Sequence, residues 1–152
     1  MVNASIGANT TLNAPLGTIN VHVRDGSAIL LHSQPAYTIE ETRQGPYSLL
    51  VSQAADGYAF GTAYIDDGET VPPTPNSTLT FKAREGELTV AHHGTFEITQ
   101  KLDTITVLGA KRPASVKLNG ALIKSQYIEA QQKLVVQGLS IDLNNPIALT
   151  WK

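Results

Sequence analysis

The 152-residue sequence has no cysteine, one methionine and one tryptophan. Without cysteine there is no disulfide framework, no thiolate metal site and no cysteine nucleophile. Charged residues make up only 16% and sum to a formal net charge of -2, with no basic block. That balance argues against nucleic acid and against an anionic membrane surface as partners. No apolar run approaches the roughly 18 residues of a membrane span. No signal-like stretch follows Met1, so a secreted chain of this kind is expected to be either mature or cut from something longer, the second being the reading preferred. HExxH, a phosphate loop, a GxSxG elbow and a GxGxxG after a strand are all missing, and no cofactor is expected. The length is too short for a (β/α)₈ barrel of roughly 250 residues. Yet 41% hydrophobic residues suit a globular chain that buries its own core.

What is present is a series of short, turn-punctuated strands. Residues 18–24 alternate apolar and polar side chains with period two, and Asp25-Gly26 closes them, which predicts a half-buried strand ending in a turn. A second short strand is expected over 28–31, ended by Ser33-Gln34-Pro35. Further strands are expected at 47–53, 58–65, 77–84, 88–92, 95–100, 103–108, 115–118, 133–137 and 148–151. Pro72, Pro73 and Pro75 read as an extended loop before the strand at 77–84, and 125–132 as a helical turn. No window shows a convincing 3.6-residue period. Short strands with Gly, Pro and Asn turns every eight to twelve residues predict an all-β fold, an antiparallel β-sandwich.

Candidate sites are few. Asp66-Asp67-Gly68-Glu69 is the densest acidic cluster, and Asp66, Asp67 and Glu69 form a candidate cation-binding turn, since carboxylates and turn carbonyls suit a hard cation. The same residues also read as a plain strand-ending turn, where Asp bonds the local backbone and Gly supplies a positive φ. His92 and His93 are adjacent on a strand, so they face opposite sides of the sheet and are poorly placed to share a metal; no metal site is expected. His22 and His32 stand alone. Three Asn-x-Ser/Thr sequons, at Asn3, Asn9 and Asn76, mark glycosylation acceptors and point to a secreted, extracellular protein. No catalytic residue stands out, although carboxylate pairs are set in space rather than in sequence. Tyr58, Phe60 and Tyr64 share one parity and are expected on the core face. Trp151, in a terminal apolar strand, is expected to pack rather than to stack on a sugar.

The order of several segments resembles the end of glycoside hydrolase family 31. Ala14-Pro15-Leu16-Gly17-Thr18-Ile19-Asn20-Val21 through Arg24-Asp25-Gly26-Ser27 is similar to the family's "APL..I.V..RGGSI.P" pattern. Thr42-Arg43 with Pro46-Tyr47-Ser48-Leu49 resembles "TT..SR..P..L". Gly61-Thr62-Ala63-Tyr64-Ile65-Asp66-Asp67-Gly68-Glu69-Thr70 resembles "G.LY.DDGES" and is the most specific match. Residues 105–110 and 113–120 resemble "VTVLGV…P.SV.LNG", and Leu149-Thr150-Trp151 the terminal "L.W" strand. Asp25 and Leu31 depart from the pattern, where Gly and Pro are usual.

The resemblance implies a fungal-type α-glucosidase whose retaining Asp nucleophile and Asp acid/base lie on a (β/α)₈ barrel upstream of Val2. No position here matches those motifs, so no activity is expected from this chain alone. It implies that 1–46 end a proximal C-terminal β domain, contributing strands of a truncated preceding domain, and that 47–152 form a distal β-sandwich. The leading expectation is a structural or subunit role, with the catalytic barrel of the parent as partner. The alternative is a free-standing secreted module that binds carbohydrate or protein, with weak oligosaccharide affinity. An independent enzyme would need carboxylates converging in a cleft.

Overall fold

Alternation of buried and exposed side chains sets the strands of this protein, seen in a computed structural model that describes residues 7–71 and 75–152. In β4 (Ser77–Arg84), Ser77, Leu79, Phe81 and Ala83 are buried while the residues between them face outward. In β12 (Ile147–Trp151), Ile147, Leu149 and Trp151 are the buried set. Period-two burial of this kind makes one face of a sheet apolar and leaves the other to solvent.

The remaining strands among the described residues are β1 (Ser27–His32), β2 (Tyr47–Ser52), β3 (Ala59–Ile65), β5 (Glu87–Gly94), β6 (Lys101–Leu108), β7 (Val116–Leu118), β8 (Ala121–Leu122), β9 (Gln126–Ile128), β10 (Lys133–Val136) and β11 (Ile141–Asp142). They join in one curled sheet of order β8-β7-β12-β5-β4-β3-β1-β2-β6-β10-β9, with β11 also on β6. The inward rows meet in a single apolar cluster that includes Leu49, Phe81, Ile105, Leu134 and Leu149. The chain is therefore all-β, mostly antiparallel and sandwich-like, as its turn spacing predicts. Two neighbours run parallel: β2 with β6 over its whole length, and β1 with β3 through the single pair Ser27–Phe60.

Several local expectations change. Residues 18–24 are not a strand, and Ile19 and Val21 are exposed, because no strand among the described residues pairs with them. Residues 95–100 are likewise outside any strand. Their central residue, Ile98, is held by a side chain instead: Asn144 Oδ1 accepts the Ile98 N–H at 2.9 Å and Asn144 Nδ2 donates to the Ile98 carbonyl at 2.8 Å. A short helix, α1 (Ile39–Gln44), precedes β2. Thr38 caps it by accepting the Glu41 N–H at 3.1 Å, and the Glu41 carboxylate accepts the Tyr37 N–H at 3.3 Å. This close relative of the capping box is written in the sequence as Thr38-x-x-Glu41. The expected helical turn at 125–132 resolves into β9 followed by a 3₁₀ turn, Glu129–Gln131. Of the proline loop, Pro72 and Pro73 lie outside the described residues.

The parity of β3 is the opposite of the one expected. Ala59 is fully buried, whereas Phe60 is 45% and Tyr64 61% exposed. The reason is the close approach of β1. A Cβ at Gly61 would lie 1.8 Å from the Ala28 carbonyl oxygen, so the inward row has room only for Ala59, Gly61 and Ala63, and the rings turn outward.

Candidate functional site

Two of the family-like motifs, the segment with Thr42-Arg43 and the turn at Asp66–Glu69, meet in space. Arg43, in the last turn of α1, donates from Nη1 to the Asp67 carbonyl at 3.2 Å. Its guanidinium lies so close over Gly68 that a Cβ there would fall 1.8 Å from Nη1. Gly68 also has φ +74°, a conformation that favours glycine.

Within the turn the carboxylates bond their own backbone. Asp66 Oδ1 accepts the Gly68 N–H at 2.9 Å, and Asp67 Oδ1 accepts the N–H groups of Glu69 and Thr70 at 3.1 Å each. Asp67 Oδ2 also accepts the Thr70 hydroxyl. The Thr70 hydroxyl first, then these backbone donors, hold the Asp67 carboxyl below the usual carboxylate range. Among the described residues no three His, Cys, Asp or Glu side chains gather as a metal-holding group.

The histidines are dispersed. His92 Nε2 and Ser77 Oγ lie 2.9 Å apart, with Ser77 Oγ donating to the Phe96 carbonyl at 2.8 Å, while His93 is exposed. The His32 ring packs on Tyr47 with centroids 5.0 Å apart. Burial, opposed by the positive charge of Arg43, pushes the Tyr47 phenol up.

Two open grooves cross the surface. One, of about 830 Å³, runs between residues 21–25 and the ends of β2 and β6; its one acidic side chain, Asp25, accepts the Ser52 hydroxyl at 3.4 Å. The other, of about 590 Å³, includes Asp56 and Glu85 beside Lys111 and Trp151. Asp56 accepts the Tyr58 N–H at 3.0 Å, and Glu85 pairs with Arg84 at 3.3 Å. Trp151 is 5% exposed and packs in the core, as its sequence position predicts.

The surface that stands out is the outer face of β3 and β1. Phe60 and Tyr64 on β3 lie beside Ile29 and Leu31 on β1, all exposed. Sequence reasoning missed this face by reversing the parity of β3. The clue was Gly61, whose lack of a side chain marks the crowded row. Of the sequons, Asn9 and Asn76 are exposed, and Asn3 lies outside the described residues.

No family model matches the chain. Individual relatives do. An α-glucosidase of Candida tsukubaensis is 42% identical over 137 residues, 90% of this chain and 13% of that protein. An α-glucosidase of Aspergillus niger is 39% identical over 142 residues, 91% of this chain and 14% of the relative. An uncharacterized family 31 glucosidase of Schizosaccharomyces pombe is 34% identical over 152 residues, 99% of this chain and 15% of the relative. The chain thus spans only 13–15% of the length of these relatives. Among solved structures, a GH31 dextranase of Flavobacterium johnsoniae superposes with TM-score 0.71 at 20% identity, covering 94% of this chain and 21% of that one. The glucosidase II alpha subunit superposes with TM-score 0.67 at 19% identity, covering 85% and 17%. These two share the fold. The ordered motifs, the identities and the sheet agree: the chain belongs to glycoside hydrolase family 31, as a part of the C-terminal β region of its α-glucosidases.

Proposed function

We propose that this chain is the non-catalytic C-terminal β portion of a secreted α-glucosidase. The parent would release terminal α-linked glucose from maltose- or starch-type oligosaccharides, with the chemistry in a catalytic barrel outside this chain. The portion described here has a structural role: it packs on the barrel, shields apolar surface there and steadies it. The observation that carries this reading is the uncovered apolar face. Ile29 and Leu31 on β1 and Phe60 and Tyr64 on the neighbouring β3 leave apolar surface in water at a cost of about 25 cal/mol per Å². Contiguous apolar surface of this kind marks an interaction site.

The test is size-exclusion chromatography with intact mass on the protein as its source secretes it. The chain is expected to elute with, or as part of, a larger polypeptide that carries α-glucosidase activity. Elution alone, as a stable species near 16.2 kDa plus glycans, would sink the reading. Phe60→Glu should weaken a noncovalent association, or lower the inactivation temperature of a continuous parent.

A second reading is favoured by one observation. Tyr58, Phe60 and Tyr64 form an outward aromatic row, the kind of platform on which sugar faces stack. A free-standing carbohydrate- or protein-binding module would use it with roughly millimolar sugar affinity, about -4 kcal/mol. Maltooligosaccharide titration of the wild type and of Tyr64→Ala separates the two: binding lost in the variant supports the module, and no binding supports the structural role.

A further inference from the structure

The sequon Asn76-Ser77-Thr78 straddles the start of β4. Ser77 and Leu79 point inward and are fully buried, so Asn76 and Thr78 stand on the outer side, where Asn76 is exposed. The backbone beneath is fixed. The Asn76 carbonyl accepts the N–H groups of Thr95 at 3.0 Å and Phe96 at 3.3 Å, and the Ser77 hydroxyl ties the same corner to Phe96. On the outer side Thr78 lies opposite Tyr64 of β3 and His93 of β5. Side chains opposite one another across strands are about 5 Å apart, and those displaced by two residues about 7–8 Å. A group attached to Asn76 therefore has the 61%-exposed ring of Tyr64 within reach.

We propose that Asn76 is glycosylated and that the first sugars of its oligosaccharide lie over Tyr64. The inference rests on the secreted reading above. The donor is a lipid-diphosphate-linked oligosaccharide. A bond forms between the Asn76 amide nitrogen and the anomeric carbon, the anomeric C–O bond to diphosphate breaks, the diphosphate leaves with that electron pair, and the amide proton passes to a base. Transfer to the entering, unfolded chain needs no access in the fold; the fold must only leave room for the attached sugar, and residue 76 is exposed. Once attached, the sugar presents its C–H face to the ring. The tether keeps it at high effective concentration, so a contact too weak for a free sugar persists. This accounts for the large exposure of Tyr64 without a free ligand, and leaves the Ile29–Phe60 end of the face open for docking.

The experiment is secretion of the full chain from a eukaryotic host, with a control sequon in an appended tag, followed by glycopeptide mass spectrometry. Asn76 should be mostly occupied. A bare Asn76 beside an occupied tag overturns the proposal. Enzymatic removal of the glycan should then lower the Tm by about 1–3 °C in the wild type. In Tyr64→Ala the same treatment should lower it by less than a third as much. Both proteins carry the Asp that deglycosylation leaves, so that change cancels. An equal loss in both overturns the contact with Tyr64. Failure of the secreted reading is scored separately, by where the source cell keeps the native chain.

Discussion

Replacing Gly61 by alanine tests the account of why β3 turns its rings outward. A Cβ at this position would lie 1.8 Å from the Ala28 carbonyl oxygen and 2.8 Å from its carbon. To restore a tight C···O spacing of about 3.3 Å the strands must part by about 1.5 Å. Only one backbone pair, Ser27–Phe60, joins β1 to β3, and the Phe60 N–H donates to the Gly26 carbonyl at 3.0 Å. Overpacking of this kind costs about 1–3 kcal/mol, and losing the hydrogen bond adds about 1 kcal/mol. The sum, about 2–4 kcal/mol, corresponds to a Tm lower by about 4–16 °C for a chain of this size. The sign is informative, because Gly→Ala in open space stabilises by about 0.4–1 kcal/mol through the unfolded chain. Gly61 does not have a positive φ, so backbone strain does not enter. Urea unfolding followed by fluorescence of the lone Trp151, buried in the core, gives the value directly. Thr62→Ala, on the exposed side of the same strand, is the control and should change stability by less than about 0.5 kcal/mol. If Gly61→Ala matched that control, the close approach of β1 would be refuted, and with it the reason for the outward rings.

Asn144→Ala should leave the N–H and carbonyl of buried Ile98 unpaired and cost about 2–4 kcal/mol. Hydrogen exchange at the Ile98 amide reads this locally, and unchanged protection would refute it. Asp67 and Asp142 both have carboxyl pKa values held below 3.8: Asp67 first by the Thr70 hydroxyl, Asp142 first by the Asn144 N–H. A depressed folded-state pKa contributes stability that is present above the unfolded value and lost as pH falls through the folded one. The stability gap between the wild type and Asp67→Ala or Asp142→Ala should therefore hold constant near neutral pH and shrink below about pH 4. A gap that persists to pH 2 in urea titrations contradicts the assignment.

The sequence made the strands legible wherever a local pattern decided the outcome. The limits of β4 are those its alternation predicts, because both edges of that strand are paired along its length, with β3 and β5. Residues 18–24 carry an equally good alternation and form no strand, since a pattern needs a partner strand. The parity of β3 failed because Ala and Gly are weak hydrophobic signals, yet only they fit beside the β1 backbone. Residues 95–100 failed because Asn144, far along the chain, takes the place of a strand at Ile98. The Asp66–Glu69 turn was legible as a turn from its Asp and Gly residues. Its clamp by Arg43 was not, because that contact joins residues 24 apart in sequence, with the whole of β2 and β3 between them.

The parallel pairing of β2 with β6 sets a schedule for folding. β1 and β2 can meet as soon as both have left the ribosome, but Leu49 finds Ile105 only after β3, β4 and β5 have been made. At about 5–20 residues per second this is a wait of several seconds. Through that interval the early hairpin carries an unpaired edge of Leu49, Leu50 and Val51, open to pairing with any other chain. The step most exposed to aggregation thus comes while β3, β4 and β5 are being made, and a chaperone that covers β2 at that time would raise the yield without changing the stability of the finished sheet.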